Sequence, residues 1–194
     1  MALSERPAQR HREVAGAFTE RVRATRQWQA PAPVAGWAAR DVVRHLIDWL
    51  PGFLADGAGL VLHRGGTVDV DPVQAWLAHA DAVQALLDDP STPNRVFAHP
   101  RAGQWPLDVA VDRFYTTDVF LHTWDLARAT GQDDRLDEDV CATLLAGMSP
   151  MEDLLRSSGQ YGPAVPVPAD ADVQSRLLGF IGRDPAWRPP APVS

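Results

Sequence analysis

An aspartate and a histidine occupy the apolar face of a strongly predicted helix. Between Trp105 and Gly131 the apolar residues recur at helical spacing, and Asp118 and His122 fall within the apolar stripe. Side chains four residues apart on a helix project from the same face. An unpaired carboxylate is costly to bury, so this face must supply a cation, a hydrogen-bond network or a metal ion.

A third residue of this kind, His45, lies within another apolar stripe at helical spacing. The stripe is made of Val42, Leu46, Trp49 and Phe53. Two imidazoles and one carboxylate suffice for three corners of a tetrahedral zinc site and leave the fourth for water or substrate. The same donors suit ferrous iron or nickel. The competing interpretation is an ion pair between Asp118 and His122, with His45 as an ordinary core histidine bonded to a carbonyl.

Helical periodicity accounts for most of the chain and predicts the elements that must position these side chains. We predict long helices at 5–28, 40–62, 72–88 and 106–130. Asp71 is expected to cap the third helix, and Pro51 to bend or interrupt the second. Because strand signals are almost absent, the pattern favours an all-α antiparallel four-helix bundle with additional short C-terminal helices. Sites in such bundles form from inward side chains on facing helices.

The segments outside these four helices are shorter and richer in proline and glycine. Residues 89–105 are interpreted as a loop with at most a short extended piece. Asp137 is expected to start a fifth helix that breaks or bends near Ser149. Residues 157–170 should lie extended across the bundle as a strap, and Asp170 should cap a short last helix.

The chain length fits one folding unit. At 194 residues and 45% hydrophobic composition, we expect a single helical domain over 1–182 and a loosely held proline-rich tail over 183–194. Nothing in the pattern distinguishes a monomer from a homodimer.

Charge and cysteine usage exclude several classes of function. The net charge is -7, and the 18 basic residues, all arginine, are not clustered, so a nucleic-acid interface is not expected. The single cysteine, Cys141, cannot form an internal disulfide, and charges interrupt the N-terminus where a signal peptide needs an apolar run. Polar residues also interrupt the longest apolar region, 46–62. We therefore expect a cytoplasmic protein that binds no nucleic acid and contacts no membrane.

Three stretches resemble the metal-binding domain family of mycothiol-dependent maleylpyruvate isomerase, within the DinB-like four-helix bundle superfamily. GWAARDVVRHL matches the family pattern GW(S/T)xxDxxxH through Gly36, Trp37, Asp41 and His45. DVFLHTWDLARATG resembles the family's ExxxHxWDLAxATG, and YGPAVPVPADADVQSRLLGFIGRDP resembles the closing segment of a small, uncharacterised single-domain subfamily. The resemblance covers nearly the whole chain and implies a divalent metal held by His45, Asp118 and His122.

The sequence departs from the family pattern at two positions. Ala38 stands where the pattern has Ser or Thr, so helix two loses the hydroxyl half of its capping box, at a cost of about 1 kcal/mol. Asp118 stands where better-studied members have Glu. Its side chain is one methylene shorter, which raises the alternative that it reaches the metal only through water.

Several other polar and aromatic residues have two interpretations each. Asp125, three residues after His122, either orients that imidazole or, as we slightly favour, caps and solvates the helix end. Trp49 and Tyr115 either wall a pocket or belong to the core. His99 is a residue that could approach the site. The remaining histidines, which we assign to the surface, are His11, His63 and His79.

Three functions fit these observations. The resemblance implies an enzyme whose metal, zinc in the first instance, binds a low-molecular-weight thiol such as mycothiol and presents its thiolate for transfer or cis-trans isomerisation. The isomerase itself has a second C-terminal domain that this sequence does not show. The alternatives are a non-catalytic bundle that binds a metal or small ligand, with a stress-related role, and a structural helical dimer without metal.

Overall fold

The computed structural model describes residues 3–63, 65–157 and 161–190, and these are mostly helical. Helices α1, α2 and α3 span Pro7–Ala24, Ala39–Ala58 and Pro72–Asp88. Helix α4 has three consecutive parts, Leu107–Ala110, a π-helical stretch Val111–Thr116, and Thr117–Thr130. The shorter helices α5, α6 and α7 span Glu138–Met148, Glu152–Ser157 and Val173–Phe180. Single 3-10 turns lie at Thr92–Asn94 and Ser149–Met151.

The four long helices enclose the main core. Helices α1 and α2 each contact both α3 and α4, and α5 packs against α7. Fully buried large side chains come from all four long helices, among them Phe18, Leu46, Leu50, Trp76, Tyr115 and Trp124. Burial of such side chains is the main stabilising contribution, about 1.5–3 kcal/mol for each. In the part of the chain that the structure describes, no helix is long and apolar enough to cross a membrane.

A β-hairpin replaces the loop expected before α4. Strands Val96–His99 (β1) and Gly103–Pro106 (β2) pair antiparallel with Phe97 opposite Trp105. Phe97 is completely buried and contacts the Phe53 ring of α2 at 4.5 Å between centroids. The short extended piece expected in this loop is present as β1, but its pairing with β2 was missed, because the burial of Phe97 requires the neighbouring α2 and is not visible in a segment rich in proline and polar residues.

Helix ends follow local capping chemistry, with two corrections. Asp71 accepts hydrogen bonds from the first turn of α3, and Asp137 does the same for α5, as predicted. Helix α2 continues through Pro51 and ends at Ala58, four residues earlier than predicted, where Gly59 adopts a left-handed conformation. The last helix is capped by Asp172, whose Oδ1 accepts from Ser175 N at 2.8 Å, and not by Asp170.

Two histidines that we assigned to the surface are buried. His11 and His79 are 0% and 1% exposed, whereas His63 is exposed as predicted. His11 Nδ1 lies 3.0 Å from the Thr116 hydroxyl, and His79 Nε2 lies 2.8 Å from the Tyr115 hydroxyl. Both partners lie on α4, so burial of the two imidazoles depends on contacts between helices that are distant in sequence.

Close packing between α2 and the hairpin predicts a large effect at Gly57. A Cβ at this position would lie 2.0 Å from the Phe97 ring, so we expect Gly57→Ala to lower the free energy of unfolding by about 1–3 kcal/mol. Gly52 in the same helix has open space around it, and Gly52→Ala should stabilise by about 0.5–1 kcal/mol. Urea denaturation of both variants measures the difference. Equal stability of the two would show that Phe97 does not pack here.

Candidate metal centre

Helices α2 and α4 bring the three predicted ligands together. His45 and Trp49 lie on successive turns of α2, while Asp118 and His122 lie on successive turns of α4. The start of α2 retains half of its capping box, because Ala38 N donates to Asp41 Oδ2 at 2.9 Å. The backbone that carries His45 is therefore held at its N-terminal end despite the missing hydroxyl.

The ligand atoms converge on Asp118. Its Oδ2 lies 3.0 Å from His45 Nε2, and its Oδ1 lies 3.5 Å from His122 Nε2. The indole N–H of Trp49 donates to the same Oδ2 at 2.9 Å. One donor atom from each of His45, Asp118 and His122 lies within 4.8 Å of the other two. The structure therefore brings all three predicted ligand residues into one cluster.

His122 is oriented from behind by a buried carboxylate. Its Nδ1 lies 2.8 Å from Asp125 Oδ2, and Asp125 is 1% exposed. Arg183, which follows α7, donates through Nε to Asp125 Oδ1 at 2.9 Å and through a terminal N–H to Oδ2 at 3.1 Å. The preference for Asp125 as a solvated helix cap was wrong, because the side chain turns inward to His122 and Arg183.

Aromatic rings cover one side of the cluster. The Trp37 ring stacks on His122, with centroids 5.8 Å apart and planes inclined by 18°, and lies 5.2 Å from the His45 ring. Part of the cluster faces solvent, since the side chains of His45 and Asp118 are 33% and 25% exposed, against 6% for His122.

The charges of the cluster stabilise one another. Burial acts to raise the pKa of Asp118, but the neighbouring His122 and His45 outweigh it and hold that pKa below its usual value. Burial acts to lower the pKa of His122, yet Asp118 and Asp125 raise it above the usual value. For Asp125, burial is likewise outweighed by His122 and Arg183, so the pKa of this carboxyl is lowered. Both carboxylates are thus ionised at neutral pH.

The donor set fits a small divalent cation after a limited movement. Zinc bonds of about 2.1 Å in a tetrahedron require donors about 3.4 Å apart, so donors up to 4.8 Å apart must approach by up to about 1.4 Å. His45 is the donor with the most freedom, because it is the most exposed of the three. His122 is already constrained by a carboxylate on its far nitrogen, the arrangement that orients metal-binding imidazoles.

The structure assigns the other conspicuous residues to different environments. His99 contacts Phe53 and Phe97 in the hairpin region, two turns of α2 away from His45. Arg44, one residue before His45, forms a bidentate pair with Asp69. Cys141 is buried, and burial raises the pKa of its thiol to about 12, so this thiol is unreactive at neutral pH.

Sequence reasoning missed three parts of the centre. Trp49 lies one turn after His45, and this spacing was the only sequence signal for its hydrogen bond to Asp118. The same spacing is common among aromatic residues of helix cores. Trp37 was noted as part of a pattern without a contact. Arg183 lies 58 residues beyond Asp125 in a segment without periodicity, so no local signal could have found it.

Comparison with known proteins gives distant relatives without a described activity. The chain is similar to two proteins of Mycobacterium tuberculosis, the uncharacterised protein MT0763 of strain CDC 1551 / Oshkosh and the uncharacterised protein Rv0738 of strain H37Rv. Each is 27% identical over 184 residues, which cover 90% of this chain and 94% of the relative. No family model matches the chain, and no solved structure gives a significant match. The relatives share its length but offer no function to transfer.

Proposed function

We propose that this protein is a DinB-like four-helix bundle that binds one divalent metal ion, zinc in the first instance, through His45, Asp118 and His122. The observation that carries this proposal is the contact between Asp125 and His122 Nδ1 at 2.8 Å. In the neutral imidazole, a proton on Nδ1 that is donated to Asp125 leaves the lone pair of Nε2 directed towards Asp118 and His45. An internal ion-pair network without metal would instead keep both ring nitrogens of His122 protonated between Asp118 and Asp125.

The second part of the proposal is that a low-molecular-weight thiol, such as mycothiol, is the exchangeable ligand. Two neutral imidazoles and one carboxylate leave a single positive charge on a divalent cation, which favours an anionic fourth ligand. The metal, when bound, lowers the pKa of a coordinated thiol and so supplies a thiolate at neutral pH. The exposed edges of His45 and Asp118 leave room for such a ligand. The proposed reaction is thiol transfer to, or thiol-assisted isomerisation of, an electrophilic small molecule.

The protein's own residues have distinct roles in this scheme. His45 and His122 supply neutral nitrogen donors, and Asp118 supplies the negative charge. Trp49 holds Asp118 in place through its indole N–H. Trp37 covers the two imidazoles and keeps water from that side. Because Asp118 is already anchored by Trp49 and His45, its carboxylate binds either directly or through one water molecule.

Cobalt substitution tests both parts of this proposal. Co²⁺ added to the metal-free protein should bind at one ion per chain and give the visible absorption of a tetrahedral site. Addition of mycothiol should then produce a sulfur-to-cobalt charge-transfer band in the near ultraviolet. Tetrahedral cobalt without such a band would favour the alternative, a non-catalytic bundle that binds a metal or small ligand. Absence of bound cobalt would refute the metal site and leave an internal polar network.

A further inference from the structure

We propose that Arg183 is a positioning residue for the metal centre, acting on His122 through Asp125. This inference rests on the proposed function above. The guanidinium donates to both oxygens of Asp125, at 2.9 Å to Oδ1 and at 3.1 Å to Oδ2. The same Oδ2 accepts from His122 Nδ1 at 2.8 Å. A continuous path of charge-assisted hydrogen bonds therefore links the segment after α7 to a proposed metal ligand.

The two hydrogen bonds from Arg183 determine the orientation of the Asp125 carboxylate. A single hydrogen bond would allow the Asp125 carboxylate to rotate about its last torsion, whereas two parallel bonds from one planar group fix its plane. With that plane fixed, Oδ2 remains in line with His122 Nδ1. The imidazole then donates its Nδ1 proton to Asp125 and turns Nε2 towards Asp118 and His45.

Burial makes this contact necessary. Asp125 is 1% exposed and the His122 side chain 6%, so solvent cannot supply the missing donors. The Arg183 side chain is 18% exposed and supplies both of the remaining hydrogen bonds to the carboxylate. A buried carboxylate that loses its cation is strongly destabilised and must find another arrangement. The orientation of His122 thus depends on a residue that lies outside the four long helices.

The backbone around Arg183 is itself held in place. Arg183 N donates to Leu178 O at 2.8 Å. Gly182 adopts a φ of 84°, and a Cβ at this position would lie 3.0 Å from Pro163 O and 3.1 Å from Gly162. Arg156 donates to the carbonyls of Gly162 and Phe180, which ties the strap to α7. Within the predicted strap, residues 158–160 lie outside the described part of the chain, and residues near Gly162 pack closely against the turn that carries Arg183.

The test compares Arg183→Met with a matched control, Arg12→Met. Arg12 also bonds to both oxygens of an aspartate, Asp88, through one terminal nitrogen, but on the surface between α1 and α3. Zinc affinity is measured by chelator competition, and the His122 tautomer by ¹⁵N NMR of the metal-free proteins at a pH where the imidazole is neutral. We expect Arg183→Met to bind zinc 10- to 100-fold more weakly and to show a mixture of His122 tautomers, as for other residues that orient metal ligands. Arg12→Met should match the wild type in both measurements.

Two further variants keep the test decisive if Arg183→Met does not fold. Arg183→Lys keeps the charge but cannot bond to both oxygens of Asp125. Its zinc affinity should therefore lie between those of the wild type and Arg183→Met. Gly182→Ala keeps Arg183 but displaces it through contact with the strap, and should weaken zinc binding without any change of charge. Wild-type zinc affinity in both variants would overturn the inference.

Failure of this inference is distinguishable from failure of the proposed function. If the wild type binds no zinc, the proposed function fails, and the NMR measurement alone decides whether Arg183 orients His122. If the wild type binds zinc but Arg183→Met keeps either the wild-type affinity or a single Nδ1-protonated tautomer, the function stands and Arg183 has no positioning role.

Discussion

Replacement of His122 by alanine is expected to abolish stoichiometric binding of zinc, with a loss of affinity of at least about 100-fold. His45→Ala should have the same effect, because two donors cannot compete with water and buffer for the ion. Equilibrium dialysis followed by elemental analysis measures the ratio of metal to chain. The largest effect belongs to His122, since its removal also leaves the buried Asp125 without one of its partners.

The controls for this prediction separate ligands from surface histidines. His63 is exposed, and His63→Ala should keep the wild-type stoichiometry. Asp118→Asn retains an oxygen donor and the contact with Trp49 N–H, so it should weaken binding less than either histidine variant. Unchanged stoichiometry in His45→Ala would mean that zinc binds elsewhere, and the internal polar network would become the better description of the cluster.

Acidification is expected to destabilise the protein by about 3 kcal/mol through His11 alone. Burial, followed by the positive charges of His79 and Arg12, lowers the pKa of His11 to about 4. The unfolded chain takes up the same proton at its ordinary pKa of 6.5. Between these two values the unfolded state binds more protons than the folded state. Stability is therefore complete above about pH 6.5 and declines as the pH falls towards 4.

Urea denaturation at intervals between pH 7 and pH 4 measures this effect. His11→Gln should show a shallower decline than the wild type, whatever its stability at pH 7, because the difference between the two curves isolates the imidazole. His63→Gln serves as the control, since the exposed His63 is expected to leave the wild-type pH dependence unaltered. Parallel curves for wild type and His11→Gln would show that His11 is protonated in the folded protein.

Local structure was largely predictable because it depends on residues close in the chain. The bounds of α3, 72–88, follow from the Asp71 cap, the first-turn proline and regular periodicity, and the structure confirms them. The all-helical class is confirmed in general, with a two-stranded hairpin as the exception. The sequence predicted a regular helix over 106–130 and did not predict the π-helical stretch Val111–Thr116. Within this stretch Tyr115 is fully buried, whereas Phe114 is only partly buried.

The sequence alone determined which ligand types share a face. Helical spacing places Asp118 and His122 side by side, and the apolar stripe of α2 turns His45 inward, so their meeting was predictable. Only the tertiary structure decided what surrounds them. Arg183 reaches Asp125 from a distant segment, and the buried His11 and His79 find their hydrogen-bond partners, Thr116 and Tyr115, on another helix. Spacing along one helix determines the direction in which its side chains project. Burial and long-range hydrogen bonds depend on which helices and segments pack together, and no local sequence pattern shows this.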